Sequence, residues 1–114
     1  MKIRSLSFAL LFLTFFVAPL HATKYYGVGL ESCGAWTEAK EEGWGNVSYP
    51  QYVGWVTGYV TGFTVSTGDR YKDTDVPALL VYIDNYCQKN PLKPFMDGAR
   101  LLVHDLSISS AMDE

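Results

Sequence analysis

Residues 51–66 read QYVGWVTGYVTGFTVS, and the fold class depends on whether this run forms a strand or a helix. Its many valine, threonine and aromatic residues favour a strand, and the odd-numbered positions from 53 to 65 would then share one face of a sheet. Helical spacing, however, also places five apolar residues on one side. They are Tyr52, Val56, Tyr59, Val60 and Phe63.

The length of the segment and the residues at its two ends favour the helix. Sixteen residues exceed the usual strand, which has about five or six. Ser48 and Pro50 form a good helix start, and Gly68 is a good stop. We therefore predict that Gln51 to Ser66 is helical and that the protein is all-α.

Three glycines recur every fourth residue within this segment. Gly54, Gly58 and Gly62 would form one ridge along the predicted helix, although each interior glycine costs about 1 kcal/mol relative to alanine. Such a ridge indicates close approach to the backbone, either by another helix of the same domain or by a partner surface or homodimer seam. With Trp55 and Tyr59, these glycines are the candidate interaction surface.

Helical patterns also flank the central run. Glu31 to Glu42 predicts a first helix that ends at Gly43, and Pro77 begins a third helix that ends near Lys89. A fourth helix follows, because apolar residues step by three and four after Pro91. They are Leu92, Phe95, Met96, Ala99, Leu102, Val103 and Leu106. The pattern predicts a small four-helix orthogonal bundle.

The first twenty-two residues have the three-part pattern of a secretory signal peptide. Lys2 and Arg4 precede an apolar run from Leu6 to Val17, which is shorter than the roughly twenty residues of a membrane span. Cleavage after Ala22 would leave residues 23–114 as one small domain, with 7 Lys plus Arg and 12 Asp plus Glu. We expect a periplasmic or secreted protein, without a membrane span in the mature chain.

The cysteines support this compartment. Cys33 and Cys87 are the only two in the chain, and an oxidising compartment would join them in one intramolecular disulfide. A covalent tie suits a domain this small, because its core alone gives marginal stability.

Motifs for catalysis are sparse. A net charge of −3 for the full chain excludes polyanion binding by bulk attraction, so no nucleic-acid partner is expected. Asp69, Asp73 and Asp75 lack the spacing of a calcium loop, and His104 is the one histidine left after signal removal. We predict a non-enzyme without cofactor or metal, although a small hydrolase with acids distant in sequence stays an alternative.

The positions of the two cysteines and the order of the predicted helices resemble those of the HdeA/HdeB family of small periplasmic acid-stress chaperones. The likeness rests on the segments around Cys33, at residues 49–55, around Cys87 and from Phe95 to Leu106. It implies an all-helical exported domain with one disulfide between an early and a later helix. It also implies binding of unfolded client proteins after acidification.

A second resemblance is to the Tai-type immunity proteins, exported helical proteins that block toxic amidases. It rests on residues 58–62 (GYVTG), on Val76-Pro77, on Asn90-Pro91 and on Ala99. It implies a preformed surface that binds a toxic hydrolase. Both resemblances imply a function in binding proteins, with a homodimer as a further possibility.

Overall fold

The computed structural model describes residues 24–68 and 71–112, and these residues are all-α. Four helices follow one another, with two short 3₁₀ turns at Gly27–Leu30 and Gly43–Gly45. The helices are α1 (Cys33–Glu42), α2 (Ser48–Thr67), α3 (Val76–Lys89) and α4 (Phe95–Met112). The predicted signal peptide, residues 1–22, lies outside the described residues.

The central run is helical, so the strand alternative is wrong. It lies within α2, whose first turn contains Pro50. Gly68 ends the helix in the left-handed conformation, at φ 64°, and its N–H donates to the carbonyl of Thr64. Glycine adopts this conformation without the steric cost of a Cβ, which is why it terminates helices so often.

Helices α1 and α3 begin at side-chain caps. The Ser32 hydroxyl accepts a hydrogen bond from the Ala35 N–H at the start of α1, and the Asp75 carboxylate accepts one from the Ala78 N–H at the start of α3. Both satisfy a donor that the first helical turn leaves without a partner. The first helix therefore begins two residues later than predicted.

The core contains a cluster of aromatic rings, and both cysteines are buried in the same cluster. Trp36 of α1 is fully buried, and its ring centroid lies 5.8 Å from Tyr52 of α2 and 5.4 Å from Phe95 of α4. Tilted and edge-on contacts of this kind add to the free energy gained by burying the rings. The core thus joins α1, α2 and α4.

The third helix joins this core through buried Leu79 and Ile83 and through the disulfide. Cys33 and Cys87 are bonded, with their Cα atoms 4.8 Å apart. Backbone hydrogen bonds reinforce the junction, because the Cys33 N–H donates to the Lys93 carbonyl over 2.8 Å and the Phe95 N–H donates to the Glu31 carbonyl over 2.7 Å. The connection from α3 to α4 is therefore fastened to the start of α1.

One residue of the predicted apolar stripe is misplaced. Leu92 is 95% exposed, because it lies in the turn before α4 and not in the helix itself. The helix begins only at Phe95, after Pro94. Within the described residues, no helix combines the length and apolar character that crossing a membrane requires.

Candidate functional site

A groove lies between the N-terminal segment and α2. Its volume is about 530 Å³. It combines one cation, four aromatic rings and two glycines, contributed by the start of the described chain and by the middle of α2. These residues are Lys24, Tyr25, Tyr26, Gly54, Trp55, Gly58 and Tyr59. We call this surface the α2 groove.

The glycines of the α2 groove are open. A Cβ added to Gly54, Gly58 or Gly62 would meet no atom of residues 24–68 and 71–112 within 4 Å, apart from the backbone of its own helix. No other helix in the described part of the chain packs on this ridge, so the internal-packing interpretation of the glycines is wrong there. The ridge exposes helix backbone that a partner can approach closely.

An aromatic wall borders the glycines. The rings of Trp55 and Tyr59 are stacked, with centroids 5.3 Å apart and planes 14° from parallel. The indole N–H of Trp55 donates to the backbone carbonyl of Tyr26 over 2.7 Å. The indole ring also makes a T-shaped contact with Phe95 in the core, with ring centroids 5.7 Å apart. Trp55 is thus held from two sides before any ligand arrives.

Gly29 makes this placement possible. It is buried, and a Cβ at this position would overlap the indole ring of Trp55. The backbone of the Gly27–Leu30 turn therefore lies directly against the ring. The N-terminal segment and α2 form one continuous surface as a result.

Tyr59 stays protonated in this environment. Burial is the main cause that raises the pKa of the Tyr59 hydroxyl; Tyr25 raises it further, and the positive charge of Arg100 offsets part of the increase. A phenol that keeps its proton can donate or accept a hydrogen bond at neutral pH. Tyr59 therefore offers a ring face and a neutral polar group to a partner.

The structure brings together four of the five residues predicted as the interaction surface. Gly54, Trp55, Gly58 and Tyr59 line the α2 groove, whereas Gly62 lies outside its lining and continues the open ridge. Sequence reasoning missed Lys24, Tyr25 and Tyr26, which belong to none of the helical patterns in the sequence. Two adjacent tyrosines at the predicted mature N-terminus were the available signal.

The remaining candidate residues lie apart from the groove. The Cys33–Cys87 disulfide is buried in the core. The His104 side chain is mostly exposed and lies 3.4 Å from the Asp105 carboxylate. Over residues 24–68 and 71–112, no three histidine, cysteine, aspartate or glutamate side chains are grouped closely enough to hold a metal ion. Compared with known protein families, curated proteins and solved structures, the chain shows no significant match.

Proposed function

We propose that the mature chain is an exported, non-catalytic domain that binds another protein through the α2 groove. The observation that carries this proposal is the open glycine ridge beside the fixed Trp55–Tyr59 stack. Interior glycines weaken a helix, and here no packing within the described chain accounts for them. Tryptophan and tyrosine are favoured anchors at protein interfaces.

The α2 groove suits a protein partner because its residues lose little conformational freedom when a partner binds. Glycines have no side-chain freedom to lose, and the indole of Trp55 is already held by Tyr26 and Phe95. Binding then costs little ordering entropy, which leaves more of the contact energy for affinity. This is the behaviour of a preformed inhibitor surface, so we propose a toxic hydrolase as the partner, as for the Tai-type immunity proteins.

Export is part of the proposal. The predicted signal peptide supports a periplasmic or secreted location, and the bonded pair Cys33–Cys87 is compatible with an oxidising compartment. We also propose that the four helices of the mature chain form the orthogonal bundle predicted from the sequence.

Replacing Gly58 with leucine tests the groove. The new side chain would occupy open space over the glycine ridge, so it should block a partner without disturbing the core. Binding should fall at least about a hundredfold, since centrally placed interface changes reach several kcal/mol. The helix should become more stable by up to about 1 kcal/mol, because leucine is the better helix former.

The measurement compares immobilised wild type, Gly58→Leu and Gly45→Leu in capture from periplasmic extract, followed by affinity measurement with the captured protein. Gly45→Leu is the matched control, because it adds the same side chain to open space outside the groove. A partner retained by wild type and by this control, but lost by Gly58→Leu, is the expected result. Equal retention by all three proteins, or unfolding of Gly58→Leu, would contradict the proposal.

A second candidate function is an HdeA-like acid-stress chaperone. Carboxylates stand at two contacts between helices, where Lys40 of α1 pairs with Asp84 of α3 and the Tyr82 hydroxyl of α3 donates to Asp105 of α4. Acid would take the mature side-chain charge from −5 to +8, counting His104, and such self-repulsion opposes a compact state.

For this second candidate, we expect the domain to loosen at about pH 2–3, where carboxylates are largely protonated. It should then suppress aggregation of an acid-unfolded client enzyme, followed by light scattering. At neutral pH, the Asp84→Asn variant should loosen partly in the same direction, whereas Glu42→Gln, at an exposed position, should not. A domain that keeps its near-ultraviolet circular dichroism in acid and leaves the client unprotected rejects this function.

A further inference from the structure

A second groove lies over the contact between α3 and α4, on elements that the α2 groove does not use. It consists of two adjoining hollows of about 380 and 520 Å³. Tyr86 and Leu101 line both, so they form the shared floor. The Tyr86 ring packs on Gly98, where a Cβ would lie 2.9 Å from its Cδ1 atom. We call this surface the α3–α4 groove.

The edges of the α3–α4 groove are basic. Lys89 lines the first hollow, and Lys93 and Arg100 line the second. The one carboxylate in either lining, Asp97, lies 3.6 Å from Arg100 and is paired with it. The lining therefore has a net charge of +2, apart from His104.

The described residues outside the α3–α4 groove have a negative net charge. The described residues outside this lining carry eight carboxylates and three lysines, which gives −5. One of these carboxylates, Asp105, accepts a hydrogen bond from Tyr82 at the border of the first hollow. The α3–α4 groove thus has a net positive charge on an otherwise acidic domain, and such separation attracts and orients an acidic partner.

The floor of the groove adds an apolar component. Leu101 of α4 lines both hollows and is 43% exposed. The first hollow, at about 380 Å³, falls within the range of ligand pockets, about 300–1,000 Å³. It therefore has room for a large apolar side chain of a ligand, flanked by the cations of the edges.

We propose that the α3–α4 groove binds an acidic segment of a partner protein, in which a large apolar side chain enters the first hollow and flanking carboxylates contact Lys89 and Lys93. A peptide fits the observations better than a nucleic acid does. Binding to nucleic acid draws its free energy from neutralising many phosphates, whereas this face has few cations on an otherwise acidic domain. The proposal is independent of the α2 groove and stands or fails separately.

The test uses the full mature protein and a fluorescein-labelled, end-blocked peptide of glutamates around one tryptophan. Fluorescence anisotropy should show binding that weakens as salt is added, because exposed charge pairs are screened. A matched peptide with glutamine in place of glutamate should bind at least about tenfold more weakly. A second peptide, with alanine in place of tryptophan, should also lose affinity.

Charge reversal at the groove locates the site. Lys93→Glu or Lys89→Glu should weaken binding of the glutamate peptide about tenfold, and Leu101→Ala should weaken it several-fold. Two matched controls make the same changes at exposed positions outside the groove. Lys72→Glu has the same effect on net charge, and Leu92→Ala removes the same apolar side chain. Both should change affinity less than about twofold, the size of a surface effect.

Three results would overturn the proposal. The first is equal loss in Lys72→Glu and Lys93→Glu, which would mean that binding depends only on net charge. The second is equal affinity for the glutamate and glutamine peptides. The third is tighter binding of a single-stranded oligonucleotide than of the peptide. Far-ultraviolet circular dichroism checks each variant, and having two independent lysine positions keeps the test decisive if one variant fails to fold.

Discussion

Removing the Cys33–Cys87 disulfide should lower the free energy of unfolding by about 4 kcal/mol. The two cysteines are 54 residues apart in sequence, so the bond restricts a large loop of the unfolded chain. Small domains have a total stability of about 5–15 kcal/mol. The reduced protein should therefore be close to its folding threshold at body temperature.

The native fold around the sulfurs does not depend on the bond alone. The Cys33 N–H donates to Lys93, the Gly34 N–H donates to Pro91, and the Phe95 N–H donates to Glu31. These hydrogen bonds hold α1 against the start of α4 after the sulfurs part. Reduction should therefore act mainly on the unfolded ensemble, and the reduced protein should keep its helical circular dichroism until it unfolds.

Urea unfolding with and without a reductant measures the effect, and the double variant Cys33→Ala/Cys87→Ala repeats it without reductant. The double variant is also the control, because adding reductant to it should change nothing. A change below about 1 kcal/mol, less than the usual worth of a disulfide, would contradict the prediction. Free thiols in the exported protein, detected by mass spectrometry after alkylation, would contradict the export hypothesis as well.

The helices and most of their ends were predictable because their signals are local. Gly43 and Gly68 end α1 and α2, and Pro77 lies in the first turn of α3, as the sequence indicates. Each signal acts on the backbone within one turn of its own position. No knowledge of the rest of the chain is needed to interpret it.

The candidate site was only partly predictable because its other half depends on contacts distant in sequence. Periodicity places Gly54 and Gly58 on one ridge, but it does not tell whether another helix covers them. The N-terminal segment has no period at all. It is positioned by the Trp55 indole N–H, which donates to Tyr26, and by the absence of a Cβ at Gly29.

Phe95→Ala should be the other severe substitution, lowering the free energy of unfolding by about 3–5 kcal/mol. Phe95 is fully buried at the start of α4, and its ring centroid lies 4.9 Å from Tyr52, 5.4 Å from Trp36 and 5.7 Å from Trp55. Alanine would lose the transfer free energy of the ring and leave a cavity where α1, α2 and α4 meet. The surrounding structure could not easily collapse into this cavity, because three rigid aromatic side chains would form its walls.

Urea unfolding of Phe95→Ala and of Leu92→Ala distinguishes the effect of burial from the effect of position in the sequence. Leu92 lies three residues earlier and is 95% exposed, so its truncation should change the free energy of unfolding by less than about 0.5 kcal/mol. Equal effects of the two variants would show that Phe95 does not anchor the core. The conservative variant Phe95→Leu should restore part of the lost stability, because it refills much of the cavity.

The same series tests whether the core supports the α2 groove. Trp55 touches Phe95 on one side and stacks on Tyr59 on the other. Where Phe95→Ala still folds, Trp55 should therefore be less firmly held, and partner affinity should fall more than in Leu92→Ala. Phe95→Leu should recover affinity together with stability, because both depend on filling the space beneath the indole. Affinity that stays at the wild-type level in folded Phe95→Ala would mean that Tyr26 and Gly29 alone position the groove.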